Sequence, residues 1–420
     1  MREIEVHSAD RNRLASIACW LLFATSMFKW VLLETIFYSS LLNYISFIVP
    51  FGLFVIVLLK NRNHLSLDTA TKIWIPWFLY IFAQTIIYSN LERFCFHFIC
   101  LALLLLSTSI RVRDIFPKKL ALYIGIFSMI GIGIELFLPS FYSSTIAPFF
   151  ISEHADTSSY GLKGFTYQFD VSAAFIMLFE MIWIYFYKDN VKPSIFWLVL
   201  IVSLLCIFLT GKRMHAILAV IIPLFVYVVS KKSLTHILFL SIIIGLISYI
   251  LILYFIHNYT LFEDNLFLHR LSHTVELAQA KEDITSDRTI LYDLALNAWR
   301  EYPILGIGDS NFIQYAGSET SVHNAYLQTL CEQGLIGFIL WIIPIIYCFI
   351  ITCYLLRHAF SASGSVWLKL SLFCQTQFIL YGLTGNPTVN IDRYVLYFLS
   401  IAILAKVHLC MRHPQTNSLQ

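Results

Sequence analysis

Three short stretches carry residues able to do chemistry. SVHNAYLQTLCEQGLIG at 321–337 sets His323 and Asn324 before a short amphipathic run, and a strongly apolar segment follows at once. The positive end of a helix disfavours an imidazolium, so a histidine there is suited to act as a neutral base. Asn324 could orient it, hydrogen-bond a sugar, or merely cap the helix with His323. TGKRMH at 210–215 places Lys212 and Arg213 in a tight turn between two apolar blocks. The arginine fork suits a phosphate; the alternative is that both side chains reach out to lipid headgroups. Arg288 opens an amphipathic helix next to Asp287. It either adds to the anion affinity of that helix N-terminus or forms a surface ion pair of little energy.

Other polar residues have weaker contexts. Glu180 lies within an apolar block, and Lys29 and Glu34 flank the end of another; acids at membrane depth can mark ion paths or simply find a partner. His154, His257, His269 and His273 read as solvated. The nine cysteines include no CxxC pair and no Cys/His spacing of the zinc type. They read as small apolar core residues.

The elements that must position these residues are membrane helices. The chain has 420 residues, 59% hydrophobic and 13% charged. A helix that crosses the hydrocarbon needs roughly 20 mostly apolar residues. Such blocks centre on 14–37, 41–59, 72–89, 92–109, 119–138, 171–187, 194–210, 214–230, 234–256, 335–356, 366–384 and 392–410. Unbroken runs such as LFLSIIIGLISYILILYF exclude the alternating strands of a membrane β-barrel. The expectation is an all-α polytopic membrane protein with about 12 transmembrane helices. With the N-terminus inside, about 18 of the 28 Lys and Arg fall on the inner side, as the positive-inside rule requires. Both termini then face the cytoplasm, and the first apolar block is a retained signal anchor.

Two outer loops are long, about 139–170 and 257–334. The chain therefore divides into helices one to nine at 1–256, a large outer loop with two amphipathic helices at 257–334, and the last three helices with a cytoplasmic tail at 335–420. In that loop, Asp287 is expected to cap a helix from Arg288 to Glu301 with Ile290, Leu291, Leu294, Ala298 and Trp299 on or near one face. Pro303 ends it, GIGDSN at 306–311 makes a turn, and a second helix runs from near His323 to Gly334. Gly334 and Gly337 are then the hinge into the tenth span.

The order of these elements resembles the bacterial O-antigen polymerase and O-antigen ligase superfamily of membrane glycosyltransferases. LTGKRMHAILAV resembles the family's Thr/Ser-x-x-Arg segment. DRTILYDLALNAWREYPILGIGDSNF resembles its Arg-led helix with a late Trp and Pro-x-x-Gly-x-Gly. HNAYLQTLCEQGLIGFI resembles its His-Asn-x-x-Leu and Gly-x-x-Gly, and GNPTVNIDRYVLYFL is a weaker match. The strong similarity covers about 205–395. Lys212 stands where many members carry a small or hydroxyl residue, and GFTYQFD lacks the His-Pro-Asn form of many relatives.

The resemblance implies a polyprenyl-diphosphate-linked glycan as donor and a hydroxyl acceptor on the periplasmic face of the bacterial inner membrane. It gives His323 the acceptor proton, and Arg213 and Arg288 the diphosphate charge, an electrostatic task suited to fixed cations. Lys212, Asn324 and Arg393 are expected to contact substrate. The family needs no metal, cofactor or nucleotide sugar at this step, which agrees with the lack of a DxD motif in the outer loops. Membrane lipids, a flippase and a chain-length regulator are the implied partners; nucleic acid is not. Three functions stay open: a polymerase, which is favoured; a ligase that moves the finished chain to lipid A–core; and a lipid-linked oligosaccharide flippase or other transporter. A transporter would gather polar groups near the bilayer midplane in repeated halves, whereas here they gather on one face.

Overall fold

Apolar runs become helices because a helix satisfies its own backbone groups where water is absent. The computed structural model describes residues 2–32, 35, 40–61, 67–88, 90–107, 110, 112–150, 161–166, 168–230, 288–318, 320–358, 362–389 and 391–412. Among them the helices are α1 Arg2–Leu32, α2 Ser40–Asn61, α3 Thr69–Lys72, α4 Ile75–Ile87, α5 Leu91–Leu106, α6 Val112–Ile115, α7 Lys118–Phe137, α8 Pro139–Phe141, α9 Phe169–Ile182, α10 Pro193–Leu209, α11 Arg213–Ser230, α12 Arg288–Glu301, α13 Phe312–Ala316, α14 Ala325–Arg357, α15 Ala362–Tyr381 and α16 Ile391–Arg412. No strand occurs among the described residues; Thr35 and Phe150 form an isolated bridge.

Each apolar block holds a helix except 234–256, which lies outside the described residues. Six described helical segments are long and apolar enough to cross a membrane: Thr69–Ile87, Lys118–Phe137, Phe169–Tyr187, Arg213–Ser230, Ala325–Arg357 and Arg393–Met411. Arg13–Met27, Ile48–Lys60 and Pro193–Leu209 are shorter apolar helices. The chain is an integral membrane protein. Asp287, Glu34, His154, His257, His269 and His273 lie outside the described residues, as does the side chain of Lys29.

The helices fall into two units, neither a continuous run of sequence. The first comprises 1–29, 39–118 and 288–420; the second comprises 30–38 and 119–287. In the first, α16 is the axis, touching α3, α5, α6, α14 and α15. Trp74, Trp77, Phe78, Tyr394, Tyr397 and Phe398 form its aromatic core, with Trp74 and Phe398 5.1 Å apart edge to face. Gln375 Nε2 donates to Thr352 Oγ1 at 2.8 Å and to Ser371 Oγ at 2.9 Å, and Ser371 Oγ donates to the Ser400 carbonyl at 2.7 Å. Such bonds join α14, α15 and α16 where lipid offers no competing partner, each at about 1 kcal/mol.

In the second unit α9 is almost wholly buried and packs on α10 and α11. Glu180 lies in that buried run, and its Oε2 makes no hydrogen bond within the described residues.

Candidate functional site

In the first unit, α12 lies against α14. It buries Ala295 and Ala298 beside Ile307, Phe312, Val322 and Cys331, with Leu291, Leu294 and Trp299 packed around them. This is the apolar face expected from spacing, with one change. Ile290 is 59% exposed, because it falls about 100° from Leu291 and outside the buried stripe of Ala295 and Ala298.

The second amphipathic helix and the following span are two helical segments joined at a kink, as the sequence leads one to expect. Helix α14 begins at Ala325, and Gly334 breaks its path with φ 64° and ψ −173°. Gly337 remains helical, so Gly334 alone is the break. Residues 303–308 thread across it. The Ile307 and Gly308 N–H groups donate to the Cys331 and Glu332 carbonyls at 3.0 and 2.8 Å, and the Leu335 N–H donates to the Pro303 carbonyl at 2.9 Å. The backbone groups that the broken helix leaves open are thus paired by the crossing segment. A Cβ on Gly306 would collide with the Glu332 carbonyl, and one on Gly334 with the Ile304 carbonyl. Both also have positive φ, so the two glycines permit the crossing.

His323 sits just before α14 with φ 57°, a left-handed backbone that side chains rarely adopt. Asn324 is the N-cap, its amide oxygen accepting from Tyr326 and Leu327 N–H at 3.0 and 3.1 Å. Its Nδ2 donates to the Leu383 carbonyl at 3.3 Å, so both ends of the amide are engaged within the protein. Arg288 Nη1 donates to the Thr384 carbonyl at 3.1 Å, and the Ala325 N–H to the Gly382 carbonyl at 2.8 Å. One turn therefore receives both the Arg288 side chain and the flank of His323. Arg393 is buried nearby in sequence, its guanidinium 4.1 Å from the centre of the Tyr381 ring.

Behind this turn lies a charge cluster with no counterpart among the sequence candidates. Arg93 and His97 stand one turn apart on α5. Arg93 Nε donates to Asp309 Oδ2 at 2.8 Å, and its Nη atoms reach the Thr388 carbonyl at 3.3 Å. His97 Nε2 lies 3.1 Å from the same Asp309 oxygen. Gln333 Nε2 contacts Asp309 Oδ1 at 3.4 Å, and Trp77 Nε1 donates to Gln333 Oε1 at 3.0 Å. Burial alone would raise the Asp309 carboxyl; the facing Arg93 and His97 overcome this and hold it well below the usual carboxylate range. The α4 side chains Tyr80 and Gln84 bind the same segment, with Gln84 Nε2 donating to the Leu305 carbonyl at 2.6 Å.

In the second unit, Lys212, Arg213 and His215 cluster at the start of α11. Lys212 Nζ is 3.8 Å and His215 Nδ1 3.6 Å from Asp170 Oδ1. Lys212 also lies 4.7 Å above the Phe169 ring, so GFTYQFD supplies its partner residues. Arg213 is exposed. The Leu162 N–H donates to the Leu209 carbonyl at 2.9 Å, and Glu135 Oε2 accepts from the Lys163 and Gly164 N–H groups at 2.7 Å. The segment 161–166 is thereby pinned beside TGKRMH.

Residues 198–342 match the family model described as O-antigen ligase. This match supports the resemblance to the O-antigen polymerase and ligase superfamily. Comparison with curated proteins finds no match.

The O-antigen ligase segment contains Lys212, Arg213, Arg288, His323 and Asn324, and it includes the Gly306 and Gly334 crossing. Arg93, His97, Asn386 and Arg393 lie outside it. The O-antigen ligase match together with the apolar helices supports a membrane protein of glycosyltransferase-like type. Among the described residues, no group of His, Cys, Asp and Glu is arranged to hold a metal ion.

Proposed function

We propose that the chain polymerises a surface polysaccharide on the outer face of the inner membrane. It moves a glycan from polyprenyl diphosphate to the hydroxyl of a lipid-linked repeat unit. The observation that carries this reading is the hold of one turn on both Arg288 and the flank of His323, two residues of the O-antigen ligase segment. His323 takes the proton of the acceptor hydroxyl as its oxygen attacks the anomeric carbon. The bond from that carbon to the diphosphate breaks, and the polyprenyl diphosphate leaves with the electron pair. Arg288 stabilises the charge on the leaving diphosphate. The resemblance gives Arg213 the same task, to be tested by its own substitution. Lys212 and Arg393 add positive charge for substrate, and Asn324 holds the helix start behind His323.

A ligase that moves the finished chain to lipid A–core is the second reading, and the family match is common to both. Gel analysis of surface polysaccharide after deletion separates the two. A product one repeat long supports the polymerase, and a bare core supports the ligase. Complementation with Arg213→Ala, Arg288→Ala and His323→Ala is expected to fail at normal protein level. A normal ladder with His323→Ala would overturn the catalytic assignment.

A further inference from the structure

The turn that follows α15, residues 382–389, has no chemistry assigned to it above. It lies outside the O-antigen ligase segment, yet three successive carbonyls in it accept from that segment. Gly382 receives the Ala325 N–H, Leu383 the Asn324 amide, and Thr384 the Arg288 guanidinium. The side chain of Asn386 adds a fourth link. It is 5% exposed, and its Nδ2 donates to Ser321 Oγ at 2.6 Å and to Gln328 Oε1 at 3.1 Å. The same Gln328 oxygen accepts the Val322 N–H at 3.0 Å, while Gln328 Nε2 donates to Glu332 Oε1 at 2.6 Å. Glu332 Oε1 in turn accepts the buried Phe312 N–H at 3.1 Å.

His323 is therefore gripped from both sides. Ser321 and Val322 before it are fixed through Asn386 and Gln328. Asn324 and Ala325 after it are fixed by the cap and by the carbonyls of Gly382 and Leu383. A residue with φ 57° needs such a grip, because a non-glycine backbone otherwise leaves that region readily. The groups that hold residues 321, 322, 324 and 325 here are side-chain amides and backbone carbonyls.

We propose that Asn386 is a positioning residue that sets His323 for proton transfer from the acceptor. This rests on the reading of His323 as the base. Proton transfer tolerates little displacement, and a misplacement near 1 Å costs on the order of a hundredfold in rate. A loosened His323 loop therefore slows turnover while leaving substrate binding in place.

The test uses full-length protein in detergent and the polyprenyl-diphosphate-linked repeat unit from the producing strain as donor, with that repeat unit or lipid A–core as acceptor. Asn386→Ala is expected to lower kcat about tenfold to a hundredfold, with acceptor KM and the unfolding midpoint close to wild type. Ser321→Ala removes the acceptor of the same hydrogen bond from a half-buried position, and a smaller loss confined to kcat is expected. If Asn386→Ala does not accumulate as folded protein, Ser321→Ala decides alone. Wild-type kcat in the folded variants, or a rise in KM with kcat unchanged, overturns the proposal. If His323→Ala is as active as wild type, the reading of the base fails as well. If His323→Ala is inactive while folded Asn386→Ala is fully active, only the positioning role fails.

Discussion

The two cationic corners of the molecule are built in opposite ways. In the first unit, Arg288 and the flanks of His323 are tied to backbone carbonyls at 2.8–3.3 Å. Asp309, which follows the crossing segment, is buried and committed to Arg93 and His97. In the second unit, Lys212 and His215 share Asp170 at 3.8 and 3.6 Å, beyond normal hydrogen-bond length, with Lys212 30% exposed. The first corner fixes direction; the second gathers charge. Proton transfer is limited by geometry and needs the former. Holding an anion depends on Coulomb attraction, which falls off slowly with distance and tolerates the latter.

His323→Ala is expected to have the largest effect on the reaction. Loss of a positioned general base lowers kcat by about 10²–10⁴-fold. The measurement is transfer rate with purified protein at saturating acceptor. A fall of only a few fold would break the contrast, for it would mean that the tightly held corner positions nothing that reacts.

Asp309→Ala tests what the buried cluster does for that corner. Removing one partner of a buried ion pair strands the other, at a cost of about 3–5 kcal/mol. A lowered unfolding midpoint in detergent is the expected result. The pH dependence has a definite sign. The folded carboxyl is held below its unfolded value of about 3.9, so its stabilisation is fully present above that value. It is lost as pH falls through the folded pKa. Wild-type stability contributed by this pair is therefore flat from pH ~5 upward, and Asp309→Ala removes it throughout that range.

This cluster also shows where sequence reading stops. Helices were legible because each apolar block satisfies its own backbone and needs no distant partner. As candidates, Arg213 stood out between two apolar blocks, and Arg288 and His323 at the starts of amphipathic helices. The hinge at Gly334 was legible from the glycine beside an apolar run. Arg93 and Asp309 are 216 positions apart, and nothing local in GIGDSN announces a buried partner on α5. Arg93 and His97 at i and i+4 in the apolar stretch ERFCFHF were the available signal, since charge in such a helix calls for a partner. Ile290 was misplaced because one residue of helical phase separates the buried stripe from the exposed flank. Asn386 was invisible for the same reason: its partners Ser321 and Gln328 lie 65 and 58 positions away, and nothing local in GNPTVN announces them.

Exchanging arginine for lysine sharpens the contrast between corners. Arg213→Ala and Arg288→Ala are each expected to lower transfer by about 10²–10³-fold, the usual cost of losing one group that stabilises developing negative charge. Lysine should restore much of the activity at 213, where exposed charge is what the corner offers. At 288 it should restore little, because a compact ammonium cannot both reach the Thr384 carbonyl and present a second donor in a fixed plane. Equal rescue at both positions would show that Arg288 acts by charge alone.

Asp170→Asn probes the looser corner and carries the smallest expected effect. The carboxylate offsets part of the positive charge of Lys212, at a distance typical of a weak, partly solvated pair. Such a pair is worth about 0.2–1 kcal/mol, so freeing the ammonium should lower donor KM by roughly twofold to fivefold. The gain should shrink with added salt, because exposed charges separated by about a Debye length of 8–10 Å are screened at physiological ionic strength. The protein fold should not register the change, since Asn fills the same volume. A rise in KM would mean that Asp170 aims Lys212 at its ligand. The second corner would then be an oriented site like the first, and the division between direction and charge would fall.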